Sequence, residues 1–221
     1  KKMILDENDR FEYVTITSEY QQQCHDIVTE GFSWEPSGAF LESDQIKRHQ
    51  LFDKFVGYFS GECCSNGLSI MCREKSSNNI AGVLYIRDFK LPLPEHFTTE
   101  GLGMITKTLS VLETVDHQYE IIRPNLEIGQ CVDLWMLSVH SDYTRQGIAD
   151  RLTTLGSEHV KDKGFSYVIL EASGGFSARC AEKAGMTKVV SVKYEDVDPI
   201  FTGLPEIHSN FTLWEKILLI I

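Results

Sequence analysis

The chain has 221 residues, enough for one α/β domain with a substantial core, and its 42% apolar content is typical of a globular protein. A formal net charge of −11 argues against nucleic acid or an anionic membrane as a partner and suits a cationic small molecule. No apolar run is long enough to cross a bilayer, and the first residues do not form a secretory signal.

The six cysteines follow no Cys-x-x-Cys metal spacing. We therefore expect buried, reduced thiols, no metal site and a cytoplasmic protein. No repeat, low-complexity tract or linker divides the sequence, so residues 1–221 are predicted to form a single domain that is a monomer or a weak dimer.

Apolar periodicity predicts alternating strands and helices in the first half of the chain. Ser18 to Gln21 resembles a capping box at the start of the first helix. About 40 residues separate the predicted hairpin from the next strand, with one helical pattern inside them. The predicted elements are a strand over 11–17, helices over 18–30 and 44–59, strands over 68–74 and 80–89, and a helix near 102–115.

The most informative stretch is 132–149. An apolar strand over 132–139 is followed by a short polar turn, and Gly147 and Ala149 open a helix. The first N–H groups of a helix lack partners and lie at the positive end of its dipole. Gly147 has no side chain and Ala149 almost none, so a phosphate can approach the main chain, and Arg145 adds a positive charge. We predict that this turn binds a pyrophosphate.

A second strand and helix follow this turn. The strand is predicted over 167–172, and the helix begins near Ser177 and ends at Gly185. Together with the preceding pair they form a βαβα unit. Two final strands are predicted over 187–194 and 211–218, joined by a connection that is expected to form a surface flap.

Residues 144–149, Thr-Arg-Gln-Gly-Ile-Ala, resemble the pyrophosphate loop of the GNAT superfamily of acyl-CoA-dependent N-acetyltransferases, which usually reads Gln/Arg-x-x-Gly-x-Gly/Ala. Thr144 stands where a longer polar residue is common. The resemblance implies an α/β (α+β) fold with a central, mixed, mostly antiparallel seven-stranded sheet flanked by helices. It implies acetyl-CoA as co-substrate and no metal. The residues expected to bind the cofactor are Leu137, Ser138, Val139, Thr144, Arg145, Gln146, Gly147, Ile148 and Ala149.

Two further features belong to this resemblance. In the family the fourth and fifth strands splay apart, and the free edge of the fourth, here Leu137 and Val139, pairs with the pantetheine amides. Residues 178–186 resemble the segment beside the pantetheine arm, where a tyrosine often protonates the departing thiolate. This chain has Ala181 there, so another group must serve as the general acid or none is needed. Cys180 as an acyl-carrying nucleophile is disfavoured, because no histidine lies near it in sequence.

Acetyl transfer to an amine requires a neutral nucleophile. An alkylamine with a pKa of about 10 is only ~0.1% neutral near pH 7, a penalty of about 4 kcal/mol. A carboxylate in a partly desolvated cleft can accept that proton. Glu35, between Trp34 and Pro36, is the candidate, because the proline fixes the backbone and apolar neighbours favour a raised pKa. The alternative is an exposed loop acid beside a packed tryptophan.

Glu35-Pro36, following Gly31-Phe32, resembles the Glu-Pro motif of the arylalkylamine N-acetyltransferases of the insect dopamine-acetylating type, in which the glutamate is the proposed base. The same branch carries two serines four residues apart, the second within Ser-Ala-Arg. Here they are Ser173 and Ser177. The resemblance implies that their hydroxyls donate to the sulfur or relay protons to Glu35. A plain helix N-cap is the alternative role for Ser177.

We therefore expect acetyl transfer from acetyl-CoA to the primary amine of a small acceptor by direct attack in a ternary complex. The acceptor is predicted to be an arylalkylamine of the dopamine, serotonin, tryptamine or octopamine type, in a pocket lined near Phe32, Trp34 and Phe40. Two alternatives stay open. One is a polyamine, amino acid or peptide amine as acceptor, and the other is a non-catalytic acyl-CoA-binding module.

Overall fold

The computed structural model describes residues 2–218. Within them, the strands are β1 (Ile4–Glu7), β2 (Phe11–Thr15), β3 (Ile70–Glu74), β4 (Ile80–Asp88), β5 (Cys131–Val139), β6 (Tyr167–Ala172), β7 (Thr187–Lys193) and β8 (Asn210–Ile217). The helices are α1 (Gln21–Ser33), α2 (Pro36–Leu41), α3 (Gln45–Ser65), α4 (Ile105–Ile122), α5 (Ile148–Asp162), α6 (Gly175–Lys183) and α7 (Tyr194–Val197). The strands form one sheet in the order β1-β2-β3-β4-β5-β6-β8-β7.

All neighbouring strands in the sheet are antiparallel except β5 and β6, which are parallel. The β5–β6 pairing covers three positions and ends at Asp133, which lies opposite Ile169. Beyond that point β5 stays paired with β4 as far as Val139, and β6 stays paired with β8. The two strands therefore part, as the family resemblance implies.

The expected mixed, mostly antiparallel sheet is confirmed, with eight strands where seven were expected. The additional strand is β1, which pairs with β2 at one edge, for example through Ile4 and Val14. It is only four residues long and its two ends are exposed, so its sequence lacks the apolar alternation that reveals a longer half-buried strand.

Of two helix starts predicted from the sequence, the structure confirms one and contradicts the other. The capping box predicted at Ser18 is wrong, because Ser18 lies inside a 3-10 turn and α1 begins only at Gln21. Asp44, by contrast, caps α3, since its carboxylate accepts the N–H groups of Ile46 and Lys47 at 2.9 and 3.2 Å.

Helices cover both faces of the sheet. Leu84 and Ile86 of β4 pack in one apolar cluster with α5, while Val83 and Tyr85 pack in another with α1 and α3. Alternate side chains of a strand point to opposite faces, so α5 lies on one side and α1 and α3 lie on the other. None of the helices between residues 2 and 218 has the length and apolar content required of a membrane span.

All six cysteines are free thiols, and only Cys180 is not fully buried. This confirms the expected buried thiols. Burial raises the pKa of the Cys72 thiol to about 12, so this side chain stays protonated and acts as a small apolar core residue.

A close contact fixes α1 against the end of β5. The Ser138 hydroxyl donates to the main-chain oxygen of Ile27 at 2.7 Å. A Cβ atom at Gly31, one turn further along α1, would lie 2.0 Å from Ser138 Oγ. Only glycine at position 31 lets the helix come this near the strand.

We expect Gly31→Ala to lower the free energy of unfolding by about 1–3 kcal/mol, because the added methyl group must displace Ser138 or the helix. Gly57→Ala on α3 is the matched control. A Cβ there meets only the His25 ring, at 3.8 Å, so the better helix propensity of alanine should raise stability by up to about 1 kcal/mol. Urea unfolding of both variants measures the difference, and equal responses would contradict the close packing.

Candidate active site

A cavity of about 460 Å³ opens where β5 and β6 part. Its walls also include parts of α1, α3, α4 and α6, together with His208 from the connection between β7 and β8. The aromatic residues of the wall are Phe32, Trp34, Phe52, Phe55, Trp135, Phe176 and Phe211. Phe40, predicted as a lining residue, is absent from this wall and is 41% exposed.

The cavity brings together most of the predicted site residues. The lining includes the three candidate catalytic residues Glu35, Ser173 and Ser177. It also includes five of the nine candidate cofactor residues, namely Leu137, Ser138, Val139, Thr144 and Ala149. The other four, Arg145, Gln146, Gly147 and Ile148, lie in the adjoining turn and first residue of α5. Their contact with a cofactor stays a prediction.

The turn before α5 has an unusual backbone. Arg145 and Gly147 both have left-handed conformations, with φ of 61° and 76°. A non-glycine residue there costs roughly 1 kcal/mol or more, so Arg145 holds a mildly strained conformation. Gly147 caps α5 without any side-chain cap, and a Cβ atom there would meet nothing within 4 Å. The space beside the first N–H groups of α5 is therefore open to an anion.

Several side chains of this turn contact the protein itself. Gln146 Oε1 accepts from an Arg10 guanidinium N–H at 2.8 Å, and the Thr144 hydroxyl donates to the Ser141 oxygen at 3.1 Å. The Ile148 side chain is buried in the core. An incoming phosphate would therefore contact the main chain of Thr144, Gln146 and Ile148 rather than their side chains.

One carboxylate oxygen of Glu35 is held by hydrogen bonds, and the other has no hydrogen-bond partner within residues 2–218. Its Oε2 accepts from the Gly38 N–H at 2.9 Å and from the Ser37 hydroxyl, which makes Glu35 the N-cap of α2. Pro36 occupies the first helical position, where its missing N–H costs nothing. Glu35 Oε1 is buried with no hydrogen-bond partner among the described residues. The exposed residue of the pair is Trp34, not Glu35.

The two serines flank the start of α6. This helix begins at Gly175 with Gly174 as N-cap, so the start predicted near Ser177 is two residues late and Ser177 is not the cap. The Ser177 hydroxyl donates to the Gly174 oxygen at 3.0 Å. The main-chain carbonyl oxygen of Ser173 accepts from the Tyr194 hydroxyl at 2.8 Å, and this bond anchors the turn to α7.

Two residues near the site belong to no motif in the sequence, namely Tyr194 and His208. Tyr194 is fully buried, and burial, followed by the charge of Glu35, raises its pKa well above the usual range, so it remains a donor to Ser173. His208 lines the cavity with its ring 5.2 Å from that of Phe176, and its buried Nδ1 has no partner among the described residues. His208 lies in the connection that was predicted to form a surface flap, and it is the residue of this connection that lines the cavity.

Neither Cys180 nor Ala181 is placed to act as a nucleophile or as the general acid that protonates the thiolate. Cys180 lines the cavity, but burial and then the nearby Asp150 raise its pKa to about 12, which disfavours a thiolate nucleophile near neutral pH. Ala181 is fully buried in the core and does not line the cavity.

Three carboxyl groups meet where β5 and β6 part, namely those of Asp116 on α4, Asp133 on β5 and Glu171 on β6. Burial raises the pKa of all three, to about 8 for Asp133 and well above the usual value for Glu171, whose pKa the charges of Asp133 and Asp116 raise further. The Glu171 carboxyl group hydrogen-bonds with those of Asp116 and Asp133, and one oxygen of each group is buried without a further partner among residues 2–218. Glu171 also lines the cavity. In the same residues, no group of three or more His, Cys, Asp or Glu is placed to hold a metal ion.

The raised pKa of Asp133 predicts a stability that falls as the pH rises. The folded state keeps the proton up to a pKa of about 8, whereas the unfolded state releases it near 3.8, so this stabilisation is complete below pH 3.8 and is lost towards pH 8. Asp133→Asn cannot titrate. We expect its stability relative to the unchanged protein to increase between pH 5 and pH 8 by at most about 1.4 kcal/mol per pH unit.

Urea unfolding at pH 5 and pH 8 measures this difference. Asp142→Asn is the matched control, because the Asp142 side chain is 81% exposed. A pH-independent difference for Asp133→Asn would contradict a buried Asp133 carboxyl group that keeps its proton in the folded state.

No family model matches the chain. Solved structures do resemble it. A putative arylalkylamine N-acetyltransferase 7 from the mosquito Aedes aegypti is 17% identical with a TM-score of 0.74, over 95% of this chain and 88% of its own. The C-terminal condensation domain of Ebony, in complex with β-alanyl-dopamine, is 14% identical with a TM-score of 0.76, over 97% of this chain and all of its own.

A Drosophila melanogaster polyamine N-acetyltransferase, an enzyme that forms N-acetylagmatine, is 15% identical with a TM-score of 0.68, over 94% of this chain and all of its own. At such identities the resemblance shows the fold alone. That fold is the one of the GNAT acetyltransferases.

Proposed function

We propose that this protein transfers an acetyl group from acetyl-CoA to the primary amine of a small acceptor. The observation that carries the proposal is the position of Glu35. This carboxylate, with one oxygen unpartnered, lines the same cavity as the unpaired edge of β5 and the start of α5. A proton acceptor and a candidate thioester site therefore share one enclosed space, which direct transfer between two bound substrates requires.

The donor is inferred from the turn and strand rather than from the fold. The open backbone at Gly147 and the charge of Arg145 suit a pyrophosphate, and the edge of β5 at Leu137 and Val139 can pair with pantetheine amides. The fold by itself does not establish the donor, because a protein named as a condensation domain shares it with proteins named as acetyltransferases.

The proposed mechanism uses each oxygen of Glu35 differently. Oε2 is held by Ser37 and Gly38, so Oε1 is directed to take the proton from the amine, directly or through a water. The neutral nitrogen attacks the thioester carbon, and the C–S bond breaks as the amide forms. The second proton of the nitrogen passes to the departing thiolate. The hydroxyl of Ser173, or that of Ser177 once it leaves the Gly174 oxygen, donates a hydrogen bond to the sulfur in place of the tyrosine that Ala181 replaces.

The aromatic wall supports an arylalkylamine acceptor. Phe32, Phe52, Phe55 and Trp135 offer apolar and edge-on surfaces to an aromatic ring beside Glu35. The resemblance to a mosquito protein named for such acceptors is consistent with this class. A polyamine is the second candidate, because Glu171 adds an acid to the same wall.

Release of free CoA tests the proposal against an acyl-CoA-binding module without turnover. Purified protein with acetyl-CoA should liberate thiol when tryptamine, dopamine or agmatine is added, and kcat/KM should rank these acceptors. Binding of CoA by calorimetry without release for any amine would favour the binding module. No binding of CoA at all would reject the assigned donor.

Glu35→Gln should lower kcat about 100-fold, because the amide cannot accept the proton of the amine. The dissociation constant of CoA should change less than about twofold, since Glu35 lies on the acceptor side of the cavity. Glu158→Gln is the matched control, an equal charge change at an exposed residue of α5 outside the cavity wall. A variant at Glu35 with unchanged kcat would remove this residue from the mechanism.

A further inference from the structure

A network of side-chain hydrogen bonds joins the sheet to the turn before α5. Glu74, the last residue of β3, is its centre. Glu74 Oε1 accepts from Arg10 Nε at 2.8 Å, and Glu74 Oε2 accepts from the Tyr143 hydroxyl at 3.0 Å. A second N–H group of the Arg10 guanidinium donates to Gln146 Oε1 at 2.8 Å. One carboxylate on the sheet therefore reaches two residues of the turn, Tyr143 directly and Gln146 through Arg10.

The network is packed as well as hydrogen-bonded. The Tyr143 side chain is buried, and its ring meets that of Phe11 edge-on at 6.0 Å. The Arg10 guanidinium lies 4.9 Å from the centre of the Phe11 ring and 5.7 Å from that of Tyr143. The Glu74 side chain is only 13% exposed. Bonds from Ser77, then Arg10 and Tyr143, lower the pKa of Glu74, so it accepts these bonds as a carboxylate.

The turn needs support from outside because its own geometry is strained. Arg145 and Gly147 have left-handed conformations, and Gln146 lies between them. Within the turn, the Gln146 amide reaches the Asp142 oxygen only at 3.4 Å, and α5 has no side-chain cap. A turn that left this conformation would present its N–H groups to a ligand for only part of the time, and the ligand would bind less tightly in proportion. The bonds at Tyr143 and Gln146 oppose that loss.

We infer that Glu74 is a positioning residue of the donor site, which holds the turn through Tyr143 and Arg10 in the conformation that receives the diphosphate of CoA. The inference rests on the proposed function in one respect, that the donor is a CoA thioester. The charge of Glu74 by itself would repel a diphosphate. Glu74 can therefore favour CoA only through the turn, and its removal should act on CoA with a sign opposite to that of the charge change.

The dissociation constant of CoA, measured by calorimetry, tests this sign. Glu74→Gln should raise it about five- to tenfold, although the loss of a negative charge alone would lower it. Glu7→Gln is the matched control. Glu7 ends β1 beside the Arg10 turn, its side chain is 55% exposed, and it pairs with Lys75 at 2.6 Å. This variant removes the same charge without touching the network, so its dissociation constant should stay within about twofold of that of the unchanged protein.

A second variant leaves the charge of the protein unchanged. Tyr143→Phe removes the 3.0 Å bond to Glu74 and keeps the ring in the core, so the dissociation constant of CoA should rise about threefold. Combined with Glu74→Gln, it should weaken CoA little beyond Glu74→Gln alone, because both changes break the same bond. Multiplied effects of the two changes would contradict the coupling. Circular dichroism confirms that each variant is folded.

A donor without a diphosphate separates positioning of the turn from a general loss of structure. S-acetylpantetheine carries the thioester arm of acetyl-CoA but no diphosphate. Glu74→Gln should lower kcat/KM for acetyl-CoA about five- to tenfold through KM, with kcat nearly unchanged. For S-acetylpantetheine, kcat/KM should stay within about twofold of that of the unchanged protein. A damaged fold would lower both values.

The outcomes distinguish this inference from the proposed function. An unchanged dissociation constant of CoA in both single variants overturns the positioning role, and so does an equal loss with acetyl-CoA and S-acetylpantetheine. Either result leaves the acetyltransferase proposal intact. Weaker CoA binding in Glu74→Gln and Tyr143→Phe, without thiol release for any amine in the unchanged protein, supports the positioning role and rejects the proposed function.

Discussion

The parting of β5 and β6 is the constraint on which the rest of this structure depends. The two parallel strands share three paired positions and then follow different neighbours, because β5 remains bonded to β4 and β6 remains bonded to β8. The contact between Gly31 and Ser138 holds α1 against the far end of β5. An open strand edge, a cavity between the strands and a helix start at the mouth of that cavity all follow from this one divergence.

Uneven compensation of buried charge distinguishes the cavity from the core. In the core, Glu215 is fully paired with Arg123 and Tyr119, so its charge is tolerated within the sheet. At the cavity, Glu35 keeps one oxygen unpartnered and Glu171 shares the acidic cluster with two like groups. Buried acids with unpartnered oxygens cost stability, and such groups occur more often at functional sites than in a core.

The fold of this protein does not by itself determine its chemistry. Structures 14–17% identical to this chain share its architecture, and they include proteins named as acetyltransferases and a condensation domain. The same framework therefore carries proteins with different named functions, as expected when function resides in a few side chains on a common scaffold. For this chain the proposed function therefore depends on Glu35 for the acceptor amine and on the turn around Gly147 for the donor.

Local patterns in the sequence predicted most elements of the sheet and both ends of the site, because periodicity, turn residues and short motifs act over neighbouring residues. Residues 144–149 and Glu35-Pro36 are such motifs, and the cavity includes or adjoins them. The sequence missed β1, α2 and the cap made by Glu35, and it misplaced the start of α6. Only the tertiary structure placed Tyr194 under Ser173, His208 beside Phe176, and the three carboxyl groups together, since each of these contacts joins residues at least 17 positions apart in the chain. No local pattern encodes such a contact, because it exists only once the strands have paired and the helices have packed on the sheet.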